Sequence, residues 1–279
     1  MEVARTLASL RRARLSLPAP VGAVLTMGAL HDGHRSLLAR ARGECASVVA
    51  SVFVNPTQFG PAEDFERYPR DETGDLAALE SAHVDLAFLP LVEEIYPHGS
   101  ATTVDVGPIA QPLEGAARPG HFRGVATVVT VLLNLIGPER TYFGQKDAQQ
   151  TLVVRRLVDD LGMPVQVVVC PTVREADGLA LSSRNRRLSP TERAATTVLF
   201  RALEEARALV EAGERDAEAV RQRMRAVVAS EPLARPEYVS AADAHTLREL
   251  EVVAGEVLLS LAARFGDTRL IDNIPLTVR

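Results

Sequence analysis

Over its first 170 residues the chain alternates short apolar runs with helical patterns, and this alternation limits the fold more than any other feature. Four runs are apolar and bounded by Pro, Gly or Asn, as buried strands usually are: residues 21–25, 47–53, 86–89 and 165–169. Residues 102–106 and 140–143 are further strand candidates. Helical patterns lie at residues 3–15, 34–43, 75–82, 125–135 and 148–161. The alternation predicts a parallel, doubly wound sheet, with ligands beyond the carboxyl ends of the strands.

A different pattern begins after Pro171. Residues 172–188 are polar and rich in Arg, Ser and Asn, so we interpret them as a loop or hinge. Ser189, Pro190 and Glu192 form a capping-box start for a helix that we expect to reach residue 212. A second helix is predicted over residues 216–229, and three β-like runs follow at 238–241, 256–263 and 269–272.

The predicted fold class is therefore α/β, with two domains. A Rossmann-like, doubly wound parallel sheet forms the first domain, residues 1–173. A second, smaller α+β C-terminal domain covers residues 174–279.

Composition excludes several classes of protein. Apolar residues make up 47% and charged residues 24% of the chain, which is typical of a globular protein. The net charge of −5 argues against nucleic acid as the main partner. Cys45 and Cys170 lie too far apart for metal-ligand spacing and suit a reducing compartment. The N-terminus lacks the apolar region of a secretory signal, and the apolar stretch 125–136 is too short to span a bilayer. We expect a cytoplasmic protein that does not bind membranes.

Basic residues are unevenly distributed between the two types. Lys146 is the single lysine, and the other thirty basic residues are arginines. A compact ammonium group on a flexible stem is not interchangeable with a guanidinium, and binding phosphate is one role that lysine often fills. The alternative for Lys146 is a surface salt bridge.

Residues 26–34, Thr-Met-Gly-Ala-Leu-His-Asp-Gly-His, follow the first predicted strand. Gly28 and Gly33 allow a tight turn and a close approach of the backbone to a ligand. We expect a helix to begin near His34 and to direct unpaired N–H groups at an anion. His31 and His34 can donate hydrogen bonds to phosphate. As an alternative, one histidine caps the helix and the other is solvated.

These residues carry a resemblance to a known family, because five further segments occur with them in the order that the family shows. The chain resembles the pantothenate synthetase family, of the nucleotidyltransferase-like His-x-Gly-His superfamily. The matching segments are residues 26–34, 53–60, 64–65 with 68–70, 118–127, 143–150 and 172–185. The match covers about two-thirds of the chain. Departures from the family pattern are Leu25, Asp32, Val131 and Leu181.

The resemblance implies an ATP-dependent ligase that joins (R)-pantoate to β-alanine through a pantoyl-adenylate, releasing AMP and pyrophosphate. Mg²⁺ is expected with ATP, which is a substrate here, and we expect phosphates and water rather than a protein cage to hold the ion. The resemblance also implies a homodimer. The smaller domain is expected to act as a lid, with residues 172–188 as its hinge.

The resemblance also assigns residues to roles. His34, His31 and Lys146 are the expected catalytic residues, and no protein ligand to metal is expected. Gln58 and Gln150 are the expected contacts of pantoate and β-alanine, although Gln58 could instead satisfy loop backbone. The expected ATP contacts are Met27, Gly28, Ala29, Leu30, His31, Asp32, Gly33, His34, Gly144, Gln145, Lys146, Asp147, Val173, Leu181, Ser182, Ser183 and Arg184.

Two other functions fit parts of the same pattern. A nucleotidyltransferase would move AMP to a small phosphate acceptor, but it would need a further cationic pocket, whereas Gln58 and Gln150 are neutral. A non-catalytic sensor of adenine nucleotides would keep the ATP contacts without turnover. For residues 182–184 the alternative is a solvated basic linker that continues through Arg186 and Arg187. His121 and Arg123 receive no named role.

Overall fold

A computed structural model describes residues 1–60, 65–66 and 68–279 of the chain. Asp64, part of one matching segment, lies outside the described residues. The chain forms two compact units. Residues 1–145 and 149–171 make up the first, and residues 146–148 and 172–279 make up the second.

The first unit is built on a sheet of six parallel strands in the order β1-β4-β3-β2-β5-β6. Their bounds are β1 Glu2–Ala4, β2 Val21–Thr26, β3 Ser47–Val52, β4 Leu86–Phe88, β5 Arg140–Gly144 and β6 Gln166–Cys170. The inner strands are buried along most of their length, as strands covered on both faces are.

Helices cover both faces of this sheet. The described helices of the first unit are α1 Leu7–Leu15, α2 Asp32–Glu44, α3 Glu72–Ser81, α4 Val92–Ile95, α5 Glu114–Ala117, α6 His121–Ile136 and α7 Ala148–Asp160, whose first residue is grouped with the second unit. Residues of α1, α6 and α7 share one apolar core with alternate strand positions, and residues of α2 and α3 share another. The predicted doubly wound parallel sheet is confirmed.

Two expected elements of the first unit are wrong. The predicted helix over residues 3–15 is a short edge strand followed by α1, because Thr6 interrupts it with a capping box in which its hydroxyl accepts from the N–H of Ser9. Residues 102–106 form no strand, and the N–H of Val104 donates instead to Oγ1 of Thr127 at 2.9 Å.

The order of the strands places the carboxyl ends of β2 and β5 next to each other in the sheet. From β2, the chain proceeds to β3 and β4 on one side, whereas β5 and β6 lie on the other. Ligands of open α/β sheets bind at such a change of direction, beyond the carboxyl ends of the strands. Segment 27–34 leaves β2 and segment 145–147 leaves the neighbouring strand β5.

The second unit contains an antiparallel sheet of three strands, β7 Ala234–Asp243, β8 Gly255–Phe265 and β9 Thr268–Val278. Its described helices are α8 Pro190–Ala195, α9 Thr197–Glu211 and α10 Ala217–Ala229. Apolar residues of α9 and α10 form one core with alternate positions of the sheet. The smaller α+β fold is confirmed, with strands longer than predicted.

The helix predicted over residues 189–212 is divided at Thr196. The capping box at its start is confirmed, since Oγ of Ser189 accepts from the N–H of Glu192 and Glu192 accepts from the N–H of Ser189. The hydroxyl of Thr196 then donates to the carbonyl of Arg193 at 2.7 Å. Side-chain bonds of this kind compete with helical ones and bend a helix, which accounts for the division. Among the described residues, none of the helices is long and apolar enough to cross a membrane.

Helix α6 approaches the 3-10 turn Pro56–Gln58 at a position that admits no side chain. A Cβ atom built on Gly124 would lie 2.3 Å from the carbonyl oxygen of Thr57 and 2.7 Å from Cα of Gln58. Both atoms belong to the backbone, so neither can move aside by changing rotamer. Gly124 therefore sets the distance between α6 and this turn.

We predict that Gly124→Ala destabilises the protein by about 1–3 kcal/mol, because the added methyl group overpacks a backbone contact. The gain in helix propensity is about 1 kcal/mol and offsets only part of this loss. Calorimetric melting of the full chain measures the effect. Gly43→Ala is the matched control, since a Cβ there meets no atom within 4 Å, and it should not lower the melting temperature. Equal melting temperatures for Gly124→Ala and the wild type would contradict the packing argument.

Candidate active site

The backbone N–H groups of the segment after β2 are bound by side chains. Thr26 accepts from Gly28 at 3.2 Å, and its own hydroxyl donates to the carbonyl of Ser51. Asp75 accepts from the next two residues of the segment at 2.9 and 2.7 Å. The two histidines supply the remaining acceptors. The donors satisfied in this way are Gly28, Ala29, Leu30, His31 and Gly33.

His31 and His34 together cap helix α2. Nδ1 of His31 accepts from the N–H of Gly33 at 3.2 Å, and Nδ1 of His34 accepts from the N–H of His31 at 3.3 Å. The two rings lie 4.1 Å apart between centroids. Because each Nδ1 is an acceptor, each neutral ring carries its proton on Nε2. Both imidazoles are therefore fixed as Nε2–H donors.

This geometry corrects one expectation from the sequence. Unpaired helix N–H groups were expected to face an anion, but α2 begins at Asp32 and its first turn is capped internally. The N–H of His34 donates to the carbonyl of His31 at 2.8 Å. The two imidazoles therefore add Nε2–H groups to the donors of this segment. The alternative of one capping and one solvated histidine is also wrong, because both rings cap the helix and both are half-buried.

Gln58 lies beside the same segment, and its amide is oriented by a buried asparagine. Nδ2 of Asn55 donates to Oε1 of Gln58 and to the carbonyl of Gly124, both at 3.1 Å. Oδ1 of Asn55 accepts from the hydroxyls of Tyr96 and Thr57, each at 2.9 Å. Burial raises the pKa of Tyr96, so its hydroxyl stays protonated as the donor. Hydrogen bonds thus hold both ends of the Asn55 amide. Since Asn55 binds Oε1 of Gln58, the NH₂ group of Gln58 remains to donate elsewhere.

The donating end of Gln58 points toward the segment after β2. Nε2 of Gln58 lies 3.0 Å from Sδ of Met27. The alternative role for Gln58, satisfying loop backbone, is wrong, because these amide contacts are with side chains. The structure therefore brings Met27, Gln58 and the segment of the two histidines together in the first unit.

His121, to which the sequence assigned no role, holds the backbone of Gln58. Its Nδ1 lies 2.8 Å from the carbonyl oxygen of Gln58, and its Nε2 lies 2.9 Å from a guanidinium nitrogen of Arg118. Arginine can only donate, so Nε2 accepts and Nδ1–H donates to Gln58. Arg123 instead forms an exposed ion pair with Asp105.

Lys146 lies in the 3-10 turn Gln145–Asp147 that connects β5 to α7. The helix predicted over residues 148–161 begins directly after this turn, at Ala148. The backbone carbonyl of Lys146 accepts from Nδ2 of Asn273 at 2.8 Å, and both residues belong to the second unit. The lysine side chain is 16% exposed and Nζ lies 3.5 Å from Oδ1 of Asp147. Lys146 therefore forms an ion pair with Asp147, whose side chain is 47% exposed, as the alternative predicted, although the lysine side chain is itself largely buried.

Two adjacent glutamines in α7 have different environments. Gln149 is buried and binds the backbone of Ile109, Pro112 and Glu114, so its role is to hold that loop. Gln150, expected to contact substrate, is half-buried. Within the part of the chain that the structure describes, its side-chain amide makes no hydrogen bond to another protein group.

In the second unit, residues 172–181 form a loop closed on itself. The N–H of Leu181 donates to the carbonyl of Val173 at 3.0 Å, which joins two of the expected ATP contacts. Arg174 forms a bidentate ion pair with buried Asp272 at 2.6 and 2.9 Å, and its guanidinium group lies over the ring of Phe200. Arg174 is thus a structural residue of this loop.

The three polar residues expected to contact phosphates follow this loop. Oγ of Ser182 accepts from the N–H of Arg184 at 3.2 Å and caps the 3-10 turn Ser183–Arg187. Residues 182–184 are half-buried, whereas Arg186 and Arg187 are exposed. The exposure that the solvated-linker alternative requires is therefore found at Arg186 and Arg187 and not at residues 182–184. Among the residues described, no three His, Cys, Asp or Glu side chains are grouped to hold a metal ion.

Comparison with known proteins identifies a family that matches nearly the whole chain. A family model described as pantoate-beta-alanine ligase matches residues 2–275. A pantothenate synthetase of Roseiflexus sp. (strain RS-1) is 60% identical over 276 residues, which are 99% of each chain. A pantothenate synthetase of Moorella thermoacetica is 51% identical over 281 residues, covering 100% of this chain and 99% of the relative.

Solved structures agree. The pantothenate synthetase of Thermus thermophilus has a TM-score of 0.94 at 51% identity and covers 98% of this chain and 99% of its own. A pantoate-beta-alanine ligase of Francisella tularensis, solved with beta-gamma ATP and beta-alanine, has a TM-score of 0.80 at 34% identity, with 98% and 97% of the two chains covered. The chain therefore belongs to the pantoate-beta-alanine ligase family.

Proposed function

We propose that this protein uses ATP to join pantoate to β-alanine, giving pantothenate, AMP and pyrophosphate through a pantoyl-adenylate. The observation that supports this most is the pair of imidazoles fixed as Nε2–H donors beside the donating end of Gln58. Membership of the family supports the same reaction.

The first half-reaction activates the acid, since a carboxylate does not react with an amine in water. A carboxylate oxygen of pantoate attacks the α-phosphorus of ATP, and the bond to the bridging oxygen of pyrophosphate breaks. Negative charge builds on the phosphoryl oxygens and on the leaving group. His31 and His34 donate through Nε2 to the α-phosphate oxygens, and Lys146 supplies positive charge to the same group.

The second half-reaction forms the amide. The amine of β-alanine attacks the acyl carbon of pantoyl-adenylate, AMP leaves, and the nitrogen loses its proton. Proximity and exclusion of water are the main requirements, because the adenylate can be hydrolysed. Gln58 and Gln150 hold pantoate through neutral donors and acceptors, which suit a substrate with hydroxyl groups and one carboxylate.

The remaining expected contacts take the nucleotide. Ser182, Ser183 and Arg184 bind the β- and γ-phosphates through charge-assisted hydrogen bonds. Residues 27–34, residues 144–147, Val173 and Leu181 contact the rest of ATP. Mg²⁺ accompanies ATP and is held by phosphates and water. We propose further that the protein acts in the cytoplasm as a homodimer.

Replacing His34 or Lys146 by Ala should slow pantoate-dependent ATP–pyrophosphate exchange by about a hundred- to a thousand-fold, because each change removes a donor to the developing charge. Exchange of labelled pyrophosphate into ATP measures the first half-reaction separately from the second. His98→Ala is the control, since His98 is exposed. Wild-type rates in both variants would contradict the assignment.

Two further replacements of His34 distinguish the roles of its two ring nitrogens. Gln places an amide nitrogen near the position of Nε2, whereas Asn places its amide near Nδ1 and retains only the capping side of the ring. If Nε2–H is the donor to phosphate, His34→Gln should retain more exchange activity than His34→Asn. The reverse order would contradict the assigned proton position.

Because Lys146 is the single lysine of the chain, an amine-selective reagent can modify only this side chain and the N-terminal amine. Saturating ATP with Mg²⁺ should slow modification of Lys146 at least fivefold and leave the N-terminal amine unprotected. Peptide mass spectrometry after timed labelling measures both sites. Lys146→Arg supplies the control for N-terminal labelling, and equal labelling of Lys146 with and without ATP would refute its place beside the phosphates.

The acid that supports exchange distinguishes a ligase from a nucleotidyltransferase. Pantoate should support ATP–pyrophosphate exchange, and small phosphate acceptors should not. Gln58→Ala should raise the KM for pantoate about tenfold or more, since a hydrogen bond to a charged group contributes about 1.5–3 kcal/mol. Gln222→Ala, an exposed change in α10, should leave this KM unchanged. Exchange that depends on a phosphate acceptor instead of pantoate would contradict the ligase assignment and indicate a nucleotidyltransferase.

A further inference from the structure

Asp75 is a buried carboxylate outside every segment that the sequence assigned to the site. It lies in the first turns of α3 and is 3% exposed. Oδ2 accepts from the N–H of Ala29 at 2.9 Å, and Oδ1 accepts from the N–H of Leu30 at 2.7 Å. Both oxygens of one buried charge are thus directed at two consecutive residues of the segment that carries His31 and His34. Hydrogen bonds to a charged acceptor are among the stronger ones in proteins.

The two residues before Leu30, whose N–H donates to Asp75, have unusual backbone conformations. Gly28 has a φ of 83° and Ala29 has a φ of 52°, both in the left-handed region. Glycine adopts this region readily, whereas alanine does so at a steric cost. The conformation of Ala29 therefore needs an external constraint, and the carboxylate of Asp75 supplies one on each side of it.

The space around the carboxylate matches this role. A Cβ atom built on Gly28 would lie 2.7 Å from Oδ2 of Asp75 and 3.1 Å from Cγ1 of Val52. The segment and the carboxylate are consequently in contact with no room for a side chain between them. Asp75 has no place for a substrate group at this oxygen without displacing the loop.

The constraint extends to the imidazoles through one more hydrogen bond. The N–H of His31 follows Leu30 directly and donates to Nδ1 of His34. Turning the peptide between residues 29 and 30 would therefore shift the backbone donor that orients the ring of His34. The direction of Nε2–H in His34 therefore depends on the two hydrogen bonds that Asp75 accepts from Ala29 and Leu30, which together we call the Asp75 clamp.

We propose that Asp75 is a positioning residue for the adenylation step, acting through the backbone of Ala29 and Leu30 on the two imidazoles. The inference rests on the proposed function. Asp75 contacts neither ATP nor metal in this scheme. Its carboxylate holds the loop in a left-handed turn, and the turn aims the Nε2–H donors at the α-phosphate oxygens.

The test uses Asp75→Asn in the full-length protein. Asparagine has the same shape but directs an NH₂ group at one of the two N–H donors, so one of the two bonds is lost. We expect kcat for pantoate-dependent ATP–pyrophosphate exchange, at saturating ATP and pantoate, to fall at least tenfold. Amide hydrogen exchange at residues 29 and 30 should accelerate at least tenfold in the same variant.

A second variant disturbs the clamp without removing its charge. Gly28→Ala places a methyl group against Oδ2, so it should also lower kcat and expose the amides of residues 29 and 30. Asp71→Asn is the matched control: Asp71 is an exposed carboxylate of the same helix that caps its N-terminus through Gly74. It should leave kcat and both amides unchanged.

The outcomes separate the possible roles of Asp75. Loss of amide protection with an unchanged kcat, in either variant, would overturn the inference. So would a fall in activity with both amides still protected, or a raised KM for ATP with kcat intact, since these would indicate direct contact with nucleotide or metal. Absence of pantoate-dependent exchange in the wild type would refute the proposed function itself, whereas the amide measurements would still report whether the clamp exists.

Discussion

Side chains satisfy the backbone donors of the segment after β2, and the chemistry of the candidate site depends on this. Backbone N–H groups at the N-terminus of a helix are often bound by an anion or by water. Here a hydroxyl, a carboxylate and two imidazole nitrogens take them instead. The consequence is a change of donor type: the groups that we propose to act on phosphate are imidazole N–H groups whose proton position is set by the backbone. An acidic protein can in this way present donors to an anion without a cluster of surface cations.

The same principle governs the other half of the first unit. Asn55 and His121 hold the side chain and the backbone of Gln58 separately, so that its amide has one orientation. Gly124 brings α6 against the turn that carries Gln58, and no side chain separates the two backbones. Gln58 and the segment of the two histidines are therefore supported by buried residues that are not proposed to touch a substrate, which is what preorganisation requires in physical terms.

Much of the fold could be predicted from the sequence, because strands covered on both faces are continuously apolar and helices between them keep their period. The ends of β2 and β5, and hence the positions of His31, His34 and Lys146, follow from that pattern. The errors have local causes. The edge strand β1 is three residues long, too short for a pattern, and the hydroxyl of Thr196 divides a helix whose apolar period is unbroken. Asp75 could not be found from the sequence, because it reaches the loop from 45 residues away. The sequence offered capping of α2 by one histidine as an alternative, but not capping by both, since Ser, Thr, Asp and Asn are the side chains expected at that position.

The separation between Asp75 and its loop also bears on how the molecule is assembled. The turn at Ala29 lacks its acceptor until α3 has been synthesised and has docked on the sheet. Contacts between residues far apart in sequence form after the chain has closed the intervening loop. A nascent chain that ends before residue 75 therefore contains both histidines but not the carboxylate that holds the turn beside them.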